Sequence, residues 1–191
     1  DIVAEFIRRF QRRGGLAVVD PVMGDNGRRY VTYTDAMCDA TRSLAEKADV
    51  ITPNLTEAAF LLQEDFYALP TDRAGFAELA RRLSGGGARS VVLTGARDGE
   101  NTIGAAVYDR ERDCVEFTLT DCIPGEYHGT GDVFASVLTG ALLKGKSLVE
   151  ASALAARFVR DCAARTYPQQ TPPQEGVDFE PLLYTIAADQ L

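Results

Sequence analysis

A chain of 191 residues, 46% hydrophobic and 25% charged, has the balance of a soluble globular protein and room for one full core, so a single domain over residues 1–191 is expected. Its formal net charge of −8 speaks against a surface for nucleic acid or anionic lipid, and no apolar run approaches the ~20 residues of a bilayer span. Cys38, Cys114, Cys122 and Cys162 lack paired or metal-like spacing and the N-terminus has no basic-then-apolar leader pattern, which points to a reducing, cytoplasmic setting.

Ile2, Val3, Phe6, Ile7 and Phe10 mark an opening helix, closed by Gly14-Gly15. Leu16 to Val19 then form an apolar strand running into Asp20-Pro21-Val22-Met23-Gly24-Asp25, acidic residues around a turn. Thr34 is a helix N-cap for a segment reaching about Ala48. Asp49-Val50-Ile51 is a second strand, and Thr52-Pro53-Asn54 carries it into a helix with Asn54 as cap and Glu57 at N3. Phe76, Leu79, Ala80 and Leu83 repeat at helical spacing until Gly85-Gly86-Gly87 stops them. Ser90 to Gly95 read as a third strand, and Thr102–Asp109 with Cys114–Asp121 as an antiparallel hairpin around the charged turn Arg110–Asp113. Ser147-x-x-Glu150 is a capping box opening a long helix toward Arg165, and Thr171-Pro172-Pro173 breaks the chain before a short C-terminal segment. Strands alternating with helices predict an α/β fold, a mostly parallel sheet flanked by helices with an antiparallel hairpin.

The chemistry concentrates at strand ends and at one helix start. Gly129-Thr130-Gly131-Asp132 stands immediately before the apolar helical pattern Val133, Phe134, Val137, Leu138, Ala141, Leu142. Glycines there let a ligand approach the backbone, and the unpaired N–H groups of a helix N-terminus favour a phosphate or a developing oxyanion. Asp132 in that first turn is placed to take a proton from an acceptor alcohol; the plain alternative is a favourable first-turn charge beside an ordinary turn. No G-x-x-x-x-G-K-[ST] occurs, so the chain is not a P-loop enzyme. Asp20 and Glu57, at neighbouring strand ends, suit Mg²⁺ held by one or two carboxylates, water and phosphates; for Glu57 the alternative is a capping partner of Asn54. In a parallel sheet such strand ends collect ligands, so the three strand ends and the Gly129 helix are expected to share one crevice. His128, the single histidine, reads as a loop residue, and Tyr30, Tyr33 and Phe60 as core or edge packing.

Four motifs in order, DPVMGDNGRRY from Asp20, TPNLTEA from Thr52, VVLTG from Val91 and GTGD from Gly129, give the chain a resemblance to the C-terminal portion of a pyridoxal (vitamin B6) kinase of the ribokinase-like superfamily. The related hydroxymethylpyrimidine phosphate kinases share the DPVM and TPN elements but usually carry a cysteine where this chain has Asp132, and they lack the GD-x-G-x-x-Y continuation of Gly24 to Tyr30. The resemblance implies transfer of the γ-phosphoryl of ATP to the 5′-hydroxyl of pyridoxal, pyridoxine or pyridoxamine, feeding pyridoxal 5′-phosphate salvage. It implies Asp132 as catalytic base and substrate contact, Gly129, Thr130 and Gly131 as anion hole, Asp20, Asn54, Glu57 and Thr94 at ATP, and Asp20, Asp25 and Glu57 around Mg²⁺. For Asp25 a turn-forming role beside Gly24 and Asn26-Gly27 is the alternative. It further implies a monovalent cation, commonly potassium, and a homodimer. Family members have several βα units ahead of the DPVMGD strand, so N-terminal units bearing most of the vitamin pocket are expected to be missing here. The rival readings are hydroxymethylpyrimidine kinase, a sugar kinase of the same fold, and a non-catalytic nucleotide-binding fragment.

Overall fold

The computed structural model describes residues 2–188. The chain divides into two compact units, one running up to Ala96 and including Ala106–Glu116, the other made of Arg97–Ala105 and the residues from Phe117 onward.

The first unit holds α1 (Ile2–Gln11), β1 (Val18–Val19), β2 (Gly24–Asp25), β3 (Arg28–Arg29), α2 (Asp35–Ala45), β4 (Val50–Ile51), α3 (Leu55–Leu62), α4 (Arg73–Leu83) and β5 (Ser90–Ala96). Two further strands, β6 (Thr102–Asp109) and β7 (Cys114–Asp121), are shared by the two units, and the sheet order is β1-β4-β5-β6-β7. β1 pairs with β4 and β4 with β5 in parallel, with Val19 opposite Ile51 and Ile51 opposite Val91. The links 97–101 and 110–113 are too short for a parallel crossover, which takes ~12 residues or more, so β6 and β7 add in antiparallel sense. Cys122 N–H donating to Asn101 O and Thr120 Oγ1 to Ile103 O hold the hairpin in register, as the sequence pattern predicts.

The parallel strands are short but deeply covered. Ser90, Val91, Val92 and Leu93 of β5 are all buried, the continuous run expected of a strand with both faces packed. α4 lies against β5 with Phe76, Leu79 and Leu83 inward, and ends at Ser84 before glycines at positive φ. Thr34 caps α2 through Met37 N–H, but the helix stops at Ala45, earlier than its sequence pattern suggests. The strand read over Leu16 to Val19 begins later, at Val18, and ends at Val19 as expected. Beyond Asp20 the chain leaves the sheet at Pro21, which has no N–H to donate, and folds into the small β2–β3 hairpin.

The opening helix expected from Ile2, Val3, Phe6, Ile7 and Phe10 is present as α1, and none of its residues is buried, with Ile2 88% and Phe6 59% exposed. Tyr30, read as core or edge packing, is 43% exposed and lies outside the core.

The second unit is built on α5 (Thr130–Leu143) and α6 (Leu148–Thr166), followed by short 3-10 turns and α7 (Leu183–Ala188). α5 and α6 pack against each other, with Phe134, Val137, Leu138 and Ala141 buried on α5 and Leu154, Ala155 and Phe158 among those buried on α6. The Ser147–Glu150 capping box predicted for α6 is present in both directions. One buried hydroxyl pair, Thr118 with Ser152 at 2.7 Å, ties β7 to α6. Among the described residues no helix is long and apolar enough to cross a membrane.

Candidate functional site

In the first unit the loops after β1 and β4 are knitted together around one carboxylate. Asn54, in extended conformation, caps α3 by accepting from Glu57 N–H at 2.9 Å, and Glu57 Oε2 accepts in return from Asn54 N–H at 2.8 Å. Glu57 therefore completes the capping box, the structural role its position suggests. It also reaches further: Oε1 accepts from Met23 N–H at 3.2 Å, in the loop after β1. Asn54 uses its amide Nδ2 to hold Gly24 O at 2.9 Å, so the same two residues grip both ends of the Met23–Gly24 step. Asp20 is oriented by the buried Thr52, whose Oγ1 donates to Oδ1 at 2.8 Å.

The electrostatics follow from this crowding. Burial pushes the Glu57 carboxyl up to about 8; the backbone bond from Asn54 opposes that, the charge of Asp20 adds to it, the bond from Met23 opposes it, and Asp25 adds the rest. Removal of negative charge by a cation would relieve this site. Glu57 keeps lone pairs beyond the two occupied by N–H groups, since a carboxylate offers about four. Among the described residues no three His, Cys, Asp or Glu side chains form a ready-made metal cage. The donor set instead suits Mg²⁺, which takes one or two carboxylates and completes its sphere with water and phosphate.

The other residues singled out in this unit are placed differently. Asp25 is exposed on the β2–β3 hairpin, its oxygens accepting from Asn26 N–H at 2.8 Å and Asn26 Nδ2 at 3.2 Å, so the turn-forming role suggested by sequence is filled. Thr94, in β5, donates Oγ1 to Pro53 O at 3.3 Å, satisfying its hydroxyl at the strand end.

In the second unit the Gly129 motif opens α5. Gly129 is the N-cap at φ 78, a left-handed conformation that glycine adopts without strain, and no side chain caps the helix. The N–H groups of the first turn are thus left for another acceptor. The space in front is open: a Cβ on Gly129 or Gly131 would meet nothing within 4 Å. Asp132 is exposed in the first turn, and Thr130 Oγ1 donates back to Tyr127 O at 3.3 Å. His128 is an exposed loop residue, as its position suggests.

Beside this helix start lies a cavity of about 220 Å³ lined by Gly125, Glu126, Tyr127, Thr166, Tyr167, Gln170, Thr171, Pro172, Pro173 and Gly176. Sequence reasoning missed it. Tyr127 adjoins the GTGD motif, but Tyr167 and the prolines reach it only because α6 brings them back from far along the chain. Thr52 and Thr56 were missed too, because their roles rest on where their hydroxyls reach, to Asp20 and to Gly27.

Residues 1–175 match the family model for phosphomethylpyrimidine kinase. The chain belongs to that family. It is 31% identical over 170 residues to pyridoxine kinase of Bacillus subtilis, covering 88% of this chain and 60% of the relative. It is 30% identical over 168 residues to the hydroxymethylpyrimidine/phosphomethylpyrimidine kinase of the same organism, covering 87% and 60%. Among solved structures, pyridoxal kinase from Leishmania donovani in complex with ADP and pyridoxamine superposes with a TM-score of 0.78 at 26% identity, covering 93% of this chain and 62% of that one. The fold is thus ribokinase-like, a mixed α/β sheet flanked by helices, and the chain spans about three fifths of the length of the curated relatives it matches. The family includes kinases of B6 vitamers and of hydroxymethylpyrimidine phosphate.

Proposed function

We propose that this chain carries the nucleotide-handling and proton-accepting part of an ATP-dependent kinase whose acceptor is the 5′-hydroxyl of a B6 vitamer. The observation that carries this reading is the bare N-terminus of α5: Gly129 at φ 78, no capping side chain, open space over Gly129 and Gly131, and a carboxylate in the first turn. A helix start of this kind receives negative charge, and phosphoryl transfer spreads negative charge over the transferring oxygens.

In the proposed reaction the N–H groups of Gly129, Thr130 and Gly131 stabilise that charge, and Asp132 accepts the hydroxyl proton as the acceptor oxygen forms its bond to phosphorus and the bond to ADP breaks. Asp20 and Glu57, with Asp25 nearby, are the side chains that would hold Mg²⁺. That ion, when bound, neutralises charge on the phosphates. Asn54 and Thr94 belong to the nucleotide side of the reading. The cavity beside Tyr127 and Tyr167 is the place this reading gives to the base of the nucleotide.

Hydroxymethylpyrimidine phosphate kinase is the second reading, favoured by the family model and by the Bacillus subtilis relative of that name. Asp132, at a position where that activity usually goes with cysteine, tilts the choice to B6. The test is steady-state turnover of ATP by the full protein with pyridoxal and, separately, hydroxymethylpyrimidine phosphate as acceptors. Turnover only with the second acceptor overturns the B6 assignment, and nucleotide binding with no acceptor-dependent turnover leaves a binding module.

A further inference from the structure

The β2–β3 hairpin has two residues in each strand, too few to hold itself in water, yet it carries Asp25, whose charge is felt at the Glu57 carboxylate. Its turn, Asn26 at φ 51 and Gly27 at φ 74, has the positive φ values of a type I′ connection, with Asp25 opposite Arg28. The tip is held from outside. Gly27 N–H donates to Thr56 Oγ1 at 2.9 Å, and Thr56 is only 2% exposed. From the other side the Phe66 ring closes on Gly27 so tightly that a Cβ there would lie 2.7 Å from it. Neither contact serves α3 itself, whose capping is complete with Asn54 and Glu57.

We infer that Thr56 and Phe66 are positioning residues: together they clamp the hairpin tip to the start of α3 and so fix where the Asp25 carboxylate stands relative to Glu57. The inference rests on the nucleotide reading above for its functional part and on geometry alone for the clamp. Thr56 acts through Gly27, one turn away from Asp25, and need touch neither metal nor nucleotide. Its hydroxyl is the decisive atom, because valine has the same shape and leaves a part-buried N–H without a partner.

Thr56→Val, Thr56→Ser and Phe66→Ala, made in the full chain, test it with two readouts. Arg28 and Arg29 are exposed, so trypsin reports hairpin opening directly. The expectation is faster cleavage there in Thr56→Val and Phe66→Ala and wild-type cleavage in Thr56→Ser, with the urea midpoint of the whole chain little changed. Calorimetry with MgADP should show affinity weakened by roughly three- to tenfold in Thr56→Val, the size of one lost hydrogen bond, and restored in Thr56→Ser. Affinity for ADP without metal should not move. Phe66→Ala answers the same question should Thr56→Val not fold. Cleavage at Arg28 and Arg29 no faster than in wild type overturns the clamp. Faster cleavage with unchanged MgADP affinity overturns the positioning of Asp25. Wild-type chain that binds no MgADP, with Thr56→Val still cleaved faster, overturns the nucleotide reading and leaves the clamp standing.

Discussion

Glu57 and Met23, far apart in the chain, are joined by a single hydrogen bond of 3.2 Å from the Met23 N–H to Oε1, while the other carboxylate oxygen closes the cap of α3 on Asn54. One side chain thus fixes the start of a helix and the loop after a neighbouring strand. Met23 is itself fully buried, so the bond lies in a dry environment where its loss would be felt.

The Glu57 carboxyl is raised to about 8 from an ordinary 4.5, burial being the main cause. A raised acid favours the fold in its neutral form: that contribution is fully present below about pH 4.5 and is lost as pH rises through about 8. Wild type should therefore lose stability relative to Glu57→Gln across that interval, with a limiting slope near ~1.4 kcal/mol per pH unit. Urea unfolding of both proteins at a series of pH values measures this. Parallel stability curves would show that Glu57 titrates alike in folded and unfolded chain.

Asn54 caps α3 and also holds Gly24 O. Asn54→Ala removes both bonds and should cost about 1–2 kcal/mol, toward the upper end of what cap removal does. Asn54→Ser keeps an acceptor for Glu57 N–H and should cost clearly less. The same denaturation assay decides; equal losses in the two variants would mean that the cap bond contributes nothing.

Asp132→Asn keeps the shape of the α5 first turn and removes the proton acceptor. If Asp132 is the general base, kcat for ATP and pyridoxal in a complete enzyme should fall by about 10²–10⁴ while the Kd for ATP changes little. A first-turn charge alone would be worth some tenths of a kcal/mol to about 1 in stability, with turnover intact. Near wild-type turnover by the Asn variant would remove Asp132 from the mechanism.

α1 presents Ile2, Val3, Phe6 and Phe10 to solvent, with the Phe6 and Phe10 rings 4.3 Å apart. A contiguous apolar stripe of this kind favours association. Sedimentation velocity should show self-association of this chain, reduced in the Phe6→Ser, Phe10→Ser double variant, whose unfolding midpoint should barely move because neither ring is buried. A monodisperse wild-type monomer would contradict the expectation.

Periodicity and caps made most of the fold legible. The hairpin of β6 and β7, the stop of α4 at its glycines and the capping boxes of Asn54 and Ser147 are local patterns, written within a few residues of where they act. What sequence could not supply was long-range pairing. Nothing in the spacing of Met23 and Glu57 announces their bond, and nothing in Thr56 announces that its hydroxyl faces a glycine on a different loop. The α1 stripe was legible as a helix but not as a covered or open face: helical spacing tells which residues share a face, and only the surroundings tell whether anything covers it. The start of β1 was less legible than its end: the apolar run begins at Leu16, whereas the paired residues are Val18 and Val19.

The uncapped start of α5 sets a limit on how this protein can be improved by selection. A helix of this length would ordinarily gain about 1 kcal/mol from a serine or aspartate cap, yet position 129 sits at φ 78, where such residues are strained, and the vacant N–H groups are the feature the proposed reaction needs. Mutations that tightened the resting molecule here would do so by occupying the place the proposed reaction gives to phosphate. Thermal tolerance in this lineage is therefore expected to accumulate elsewhere, in α4, α6 or the β6–β7 hairpin, while the four residues from Gly129 to Asp132 stay as they are.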